Sequence, residues 1–507
     1  MASHSLKYRL HFSSVKIFPL LYAIFLSTLA TNLPIGRPLF PFFHRNPNTF
    51  LSYYTKHTKN WLASKQPGIF TGTGDSKLED ILNIQNFRKS EHVATPDHRP
   101  RNIPEVGVRE SVLEDIALKS LYTSGPFSVL DLGDHMRLNY DVANDLFSRL
   151  RGKLLCEVTG MTGNIPYIAI TSQGRSRALE LLSHSQYAGP APVSLASYVE
   201  QVRLQSVRNV EVHPPDIERA FAHMVIDSKT LAQFGTALNS GSAIFLYGPP
   251  GVGKTAIAET LSRVLAEDSI WIPYAIEVDG QIITVYDPAI HKRTWESESD
   301  NRDLRWVRCH RPTVMVGGEL TAEMLDLQYN PINKFYVGPM QMKANNGVLI
   351  IDDLGRQRIR PDELLNRWVV PLDRKIEFLT LAGGRKIEIP FEMLVVFASN
   401  LDPAELLDPA FLRRIQTKIS IGAVTDDQFC EIFRRVARDH EIDADPALIR
   451  ELIILIRGTL KLELRGCHPR DLVNQICWAA RYEGVKPEID QPALMRAVEA
   501  YFLPNVK

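Results

Sequence analysis

The stretch that decides the fold is AIFLYGPPGVGKTAIAETLSRVL, Ala243 to Leu265. Ala243 to Tyr247 reads as a strand buried on both faces. From Thr255 onward the apolar residues Ile257, Leu261 and Leu265 keep a helical period. Between them, Gly248 to Thr255 matches G-x-x-x-x-G-K-[ST], and a strand before it and a helix after it are the context that confirms this motif. Glycines let backbone N–H groups turn inward around an anion without Cβ clashes, and the following helix aims its positive end at the same place. Gly248, Pro249, Pro250, Gly251, Val252, Gly253, Lys254, Thr255 and Ala256 are therefore the candidate phosphate cradle. Lys254 would supply a point charge to the outer phosphates and Thr255 a hydroxyl to Mg²⁺.

A second stretch, GVLIIDDLGRQ (Gly347 to Gln357), runs an apolar strand straight into two aspartates. A buried carboxylate that nothing neutralises is costly, so such a pair normally serves a cation. Asp352, at the end of Val348–Ile351, fits a Mg²⁺ ligand. Asp353 fits a group that orients or deprotonates an attacking water. The plainer alternative is a helix N-cap, a common post for Asp.

Further along, LVVFASN ends on Asn400, DPAFLRRI carries Arg413 and Arg414, and RGCHPRDLVNQI carries Arg470. In this order, with the two stretches above, these motifs make the chain from about Leu231 to Asn505 resemble the AAA+ ATPase superfamily. The resemblance implies an α/β fold: a P-loop core of parallel strands flanked by helices, followed by a helical lid. It implies ATP and Mg²⁺ as ligands and hydrolysis of ATP to ADP and phosphate. It also implies roles: Asn400 as sensor on the attacking water, Arg414 (or its neighbour Arg413) as arginine finger, and Arg470 as the second sensor. A finger acts in a neighbour's site, so a homo-oligomer is implied, and a hexameric ring is the family expectation. One departure is that such proteins usually carry Asp-Glu where this chain has Asp352-Asp353. The shorter side chain falls short by ~1.5 Å unless the backbone compensates.

Two segments read as hairpins, AIEVDGQIITVYD before the aspartates and IEFLTLAGGRKIEI after them. The second precedes the Asn400 strand, which resembles the branch containing MoxR-like remodelling ATPases. There such insertions face a pore or a substrate; a plain surface hairpin is the alternative.

Composition shifts divide the 507 residues into an N-terminal extension (1–90), a linker (91–104), a small α+β domain (105–186), a connector (187–230), the ATPase core (231–422) and the lid (423–507), with Thr425 as an N-cap. In 105–186 three helices precede a two-stranded hairpin and another helix, an order that resembles a winged helix. Apolar spacing gathers Val112, Ile116 and Leu121 on one helix, and Val142, Leu146, Phe147 and Leu150 on another. From Arg109 to Gln186, eight basic residues face nine acidic ones, and Asp141 and Asp145 open the third helix. Like charge there disfavours duplex DNA as a partner.

Lys+Arg and Asp+Glu both number 58, so no overall basic excess points to nucleic acid. The five cysteines are scattered with no C-x-x-C, as in a reducing cytoplasm. Two Cys-His neighbours do not make a four-ligand zinc site. Residues 17–36 are uncharged and apolar, read as an anchor, a targeting segment or a dispensable extension, with the last preferred and any membrane contact confined to them. The expected function is a ring-forming remodelling or chaperone-like ATPase acting on a protein client. The alternatives are an ATP-controlled DNA regulator or loader, and a hydrolysis-poor ATP-binding scaffold.

Overall fold

The structure is a computed structural model that describes residues 96, 98–294 and 302–502. The extension 1–90, its apolar segment 17–36 and residues 91–95 and 97 of the linker fall outside the described residues.

The first body is built by α1 (Glu110–Ser124), β1 (Phe127–Ser128), α2 (Val129–Met136), α3 (Tyr140–Gly152), β2 (Cys156–Thr162), β3 (Ile165–Ile170) and α4 (Ser172–His184). The strands form one antiparallel sheet in the order β1-β3-β2. Each of the last three helices is started by a short polar side chain: Ser128, Asn139 and Thr171 accept from backbone N–H groups in the first turn. Ile116, Leu121, Val142, Leu146, Phe147 and Leu150 share one core, with Val112 half-buried against it. Gly174 is set by close approach, since a Cβ there would lie 1.9 Å from the Leu155 carbonyl oxygen.

Residues 187–230, expected as a connector, are largely structured. β4 (Val193–Ser194) leads into α5 (Leu195–Leu204), and α6 (Pro214–Phe221) and α7 (Ser228–Ser240) follow. Next come β5 (Ile244–Tyr247) and α8 (Lys254–Ala266), then β6 (Ser269–Pro273), β7 (Ala275–Val278), β8 (Gln281–Thr284), β9 (Trp306–His310) and β10 (Thr313–Val316). β11 (Gln328–Asn330) and β12 (Phe335–Val337) precede β13 (Val348–Ile351). The first expected hairpin is β7–β8, but it does not stand alone. It is the middle of a five-stranded sheet, β11-β12-β8-β7-β4, with Ile276 and Ile283 fully buried. Its apolar residues belong to the core around Tyr198 and Trp271, while its tip, Asp279 to Gln281, is exposed.

After β13 come α9 (Pro361–Arg374), the second hairpin β14 (Ile376–Thr380) and β15 (Lys386–Pro390), then β16 (Leu394–Ser399) and β17 (Thr417–Ser420). Here Leu379, Ile387 and Ile389 point inward while Phe378 is half exposed. The central sheet is wholly parallel, in the order β10-β13-β16-β5-β17. Every residue of β13 and β16 is buried, as expected for parallel strands covered on both faces. α8 and Phe234 of α7 cover one face; Trp368 of α9 covers the other.

Four helices complete the chain: α10 (Asp426–Asp439), α11 (Pro446–Ile454), α12 (Cys467–Glu483) and α13 (Gln491–Tyr501). Thr425 caps the first of them in a capping box with Gln428. Phe429, Phe433, Leu452, Leu472, Ile476 and Val498 form their common core.

Glu377 on β14 is 4% exposed, with Arg367 3.8 Å from one carboxylate oxygen and no partner for the other. Burial, only partly offset by Arg367, raises its pKa to about 7. The native state thus holds this proton more tightly than the unfolded chain. The associated stability is complete below the unfolded value near 4.5 and is lost as pH rises through about 7. Glu377→Gln should therefore leave stability unchanged at pH 4.5 and raise it at pH 8, by on the order of 1–3 kcal/mol. Urea unfolding of both proteins at the two pH values checks this; equal differences at both would contradict it.

Candidate functional site

The parallel sheet brings three loops together at the carboxyl ends of neighbouring strands, where ligands bind in open α/β sheets. Gly248 follows β5, Asn400 follows β16 and Asp352 follows β13. Gly248, Gly251 and Gly253 have φ of 147°, 82° and 96°, the left-handed range that side chains resist. Space excludes side chains too: a Cβ on Gly248 would sit 2.0 Å from the Ile421 carbonyl oxygen, and one on Gly251 would sit 2.6 Å from Cys467 Sγ. The loop is thus held from both sides, by the end of β17 and by the start of α12, whose Cys467 N–H donates to the Gly251 carbonyl at 3.0 Å. No side chain caps α8, whose N-cap is Gly253. Pro250, Gly251, Thr255 and Ala256 are exposed at the mouth, while Val252 and Lys254 are buried.

Thr255 Oγ1 donates to Asp352 Oδ2 at 2.8 Å across 97 positions of chain. Lys254 Nζ donates to the carbonyl oxygens of Gly248 at 2.9 Å and Pro249 at 2.8 Å, and to Asn400 Oδ1 at 2.7 Å. Asn400 Nδ2 in turn donates to Asp353 Oδ1 at 2.8 Å. Burial lowers the Lys254 pKa, and Asp353 and Asp352 oppose that shift. Five of the expected residues, Lys254, Thr255, Asp352, Asp353 and Asn400, therefore form one cluster. The oxygen donors Thr255 and Asp352 suit a hard cation such as Mg²⁺, and the glycine cradle suits phosphates.

The backbone at Asp353 adopts a conformation that few side chains accept. This residue lies at φ 50°, in the left-handed region that Asp tolerates better than most side chains. The turn is secured around it: Asp352 N–H donates to Val316 O at 2.8 Å, and Ser399 Oγ donates to Leu354 O at 2.8 Å. Gln357 bridges it, donating to Asp352 O at 2.7 Å and accepting from Gly355 N–H at 2.8 Å. Gln357 stood inside the quoted stretch, but nothing in its spacing marked it as a clamp.

The arginines are arranged differently. Arg470 is exposed on the first turn of α12 and bonds its neighbour Asp471 at 3.1 Å, not the cluster. Arg465, three residues before His468, lies closer to the loop: its Cδ is 3.4 Å from where a Cβ on Gly251 would be. Sequence reading passed it over because it precedes the helix. Arg414 is not at this end of the sheet; its Nε donates to Asp373 Oδ2 at 2.8 Å beside the start of β17, with exposed Arg413 next to it. Among the described residues, no group of three or more His, Cys, Asp or Glu side chains is arranged to hold a metal ion. None of the described helices is long and apolar enough to cross a membrane.

Residues 425–500, the four C-terminal helices, match the model of a domain of unknown function, DUF8689. No curated protein matches the chain. Among solved structures it is similar to the Thermotoga maritima RuvB Holliday junction branch migration motor, at 15% identity over 54% of this chain and 69% of that one, with a TM-score of 0.33. It is also similar to domain III of the Thermotoga maritima replication initiation protein DnaA, at 12% identity over 57% of this chain and 98% of that one, with a TM-score of 0.33. The functional reading below stands on the side chains of the site.

Asn400 partners both Lys254 and Asp353. Asn400→Ala should leave the buried Lys254 and the half-buried Asp353 each one hydrogen bond short and cost about 1–3 kcal/mol in nucleotide-free protein. Chemical unfolding measures this, and a loss below about 0.5 kcal/mol would mean the bridge contributes nothing.

Proposed function

We propose that the chain is an ATP-hydrolysing protein of the AAA+ type. The observation that carries this reading is the Thr255–Asp352 contact, which joins the phosphate loop to the end of the acidic strand. In this reading Thr255 and Asp352 would hold Mg²⁺, which would offset phosphate charge when bound. Lys254 exchanges its bonds to Gly248, Pro249 and Asn400 for the outer phosphates, and the N–H groups of the glycine loop wrap the same anion. Asp353 accepts the proton of the attacking water, with Asn400 fixing the orientation of that carboxylate. Arg465 and Arg470 approach from the four-helix body, which serves as a lid because α12 already bonds Gly251. Arg414, with Arg413 beside it, serves the site of a neighbouring copy, which makes the working form a ring, hexameric by resemblance.

The first body is read as a winged helix that docks a protein client, so the chain acts as a remodelling or chaperone-like ATPase. Support comes from its surface. The outer face of α3 carries Asp141 and Asp145, and two of its cations are already engaged, Arg149 by Glu110 and Lys153 by Glu114. The hairpin β2–β3 instead exposes Val158, Met161 and Tyr167. Apolar surface of that kind fits a protein better than a phosphate backbone.

Phosphate release from ATP tests the reading. Wild type should turn over, while Lys254→Ala and Asp353→Asn should each be slower by about a hundredfold or more. If wild type binds ATP yet releases phosphate no faster than these variants, the chain is a nucleotide-binding scaffold and the hydrolase reading fails.

A further inference from the structure

A second cationic cluster lies at the other end of the parallel sheet. A cavity of about 530 Å³ is lined by Arg208, Lys375, Arg413 and Arg414, with Asp373 the single carboxylate on its wall. Ser242 and Ala243, just before β5, and Gln416, just before β17, form its floor. The cavity therefore opens at the amino ends of the strands whose carboxyl ends carry the glycine loop. From Ala243 to Gly248 the chain spans about 16 Å of strand, so these cations cannot reach phosphates held by their own Lys254.

The cluster is built rather than incidental. Lys375 sits past the end of α9 at φ 60°, where a non-glycine residue is strained. Its N–H donates to Pro371 O at 3.0 Å and its carbonyl accepts from Phe391 N–H at 2.8 Å, so the backbone is locked in that turn. Arg208 is pinned by its stem: Gly241, at φ 55°, leaves no room for a Cβ, which would lie 2.5 Å from Arg208 Cγ. The anions nearby are taken. Asp373 binds Arg414, and Glu392 accepts from Ser206 Oγ at 2.7 Å. Among the described residues the Lys375 ammonium has no hydrogen bond or ion pair. Burial, together with the charge of Arg208, lowers its pKa to about 8, with Glu392 and Asp373 only partly opposing the shift. A half-buried ammonium beside a guanidinium, whose nearest carboxylates Asp373 and Glu392 already serve Arg414 and Ser206, gains from an anion that arrives from outside.

We propose that Arg208 and Lys375, with Arg413 and Arg414, form a binding site for phosphate groups at the amino end of the sheet, separate from the glycine loop. Planar guanidinium forks and an ammonium lining one cavity suit several phosphoryl oxygens at once. The phosphates come either from nucleotide held by the next copy of the chain, which rests on the ATPase reading above, or from a free polyphosphate. In the first case Arg208 and Lys375 are additional groups acting across the boundary between copies.

Two measurements on the full chain decide it. Lys254→Ala removes the lysine of the glycine loop, and this protein is titrated calorimetrically with tripolyphosphate. Binding is expected, and adding Lys375→Asn with Arg208→Gln should weaken it at least tenfold. Asn tolerates the left-handed turn, and Gln keeps most of the stem over Gly241, so both variants should unfold at the parent temperature. No binding, or equal affinity with and without the pair, overturns the proposal whatever the ATPase assay gives. The second measurement mixes Lys254→Ala copies, whose cavity is intact, with copies carrying Lys375→Asn and Arg208→Gln, whose loop is intact. Phosphate release above that of either protein alone assigns the phosphates to the neighbour's nucleotide. Tripolyphosphate binding without such complementation assigns the site to a free anion.

Discussion

The structure depends on one constraint: Lys254, Thr255, Asp352, Asp353 and Asn400, from three distant segments, must end at the same edge of one parallel sheet. The register of the sheet achieves this. β5, β16 and β13 are hydrogen-bonded neighbours running the same way, so their following residues emerge side by side. Burial of β13 and β16 on both faces fixes that register, because the strands cannot slip without disrupting packing on two layers at once. Once the strand ends are aligned, short polar side chains complete the site. Asn400 balances a cation on one side and a carboxylate on the other, and Thr255 closes the remaining gap to Asp352.

The same sheet separates two concentrations of positive charge. At the carboxyl end, the cation is matched by aspartates within the cluster. At the amino end, Arg208, Lys375, Arg413 and Arg414 outnumber Asp373. Parallel strands make this division natural, since every strand begins at one end and finishes at the other. A single copy cannot bring the two ends together, and assembly of copies is the geometry that would. The C-terminal helices are tied to the glycine loop through Cys467 and Gly251, and Arg435 also donates to the Ala222 and Met224 carbonyls. Movement of those helices would therefore be felt by the glycine loop.

Much of the site was legible because its chemistry demands rare residue types at fixed spacing. The glycines, Lys254 and Thr255 lie within one turn of chain, and the strand and helix around them are marked by apolar period. Asp352 was legible because charge directly after a buried apolar run needs an explanation. Asp353 was legible as a residue, but the left-handed backbone that presents it was not. That conformation is secured by bonds from Gln357 in the same turn and from Val316 and Ser399 on neighbouring strands. Residues 187–230 looked like a connector because Pro and Gly punctuate their start. Yet β4 is the edge of a sheet completed by β7 and β8, and Arg305 reaches back to the Val106 and Pro192 carbonyls at 2.7 and 3.0 Å.

By itself the sequence determined the glycine loop, the acidic strand end, the helical start at Thr425 and the alternation of the two hairpins. Each is set by interactions among residues a few positions apart, where steric limits and periodicity suffice. Tertiary structure alone decided that Arg470 turns to Asp471 while Arg465 lies against the loop, that the first hairpin joins a five-stranded sheet, and that Lys375 meets Arg208. Those outcomes depend on which surfaces pack against which. Packing sums many weak contacts between distant segments, so no local pattern in the chain carries them.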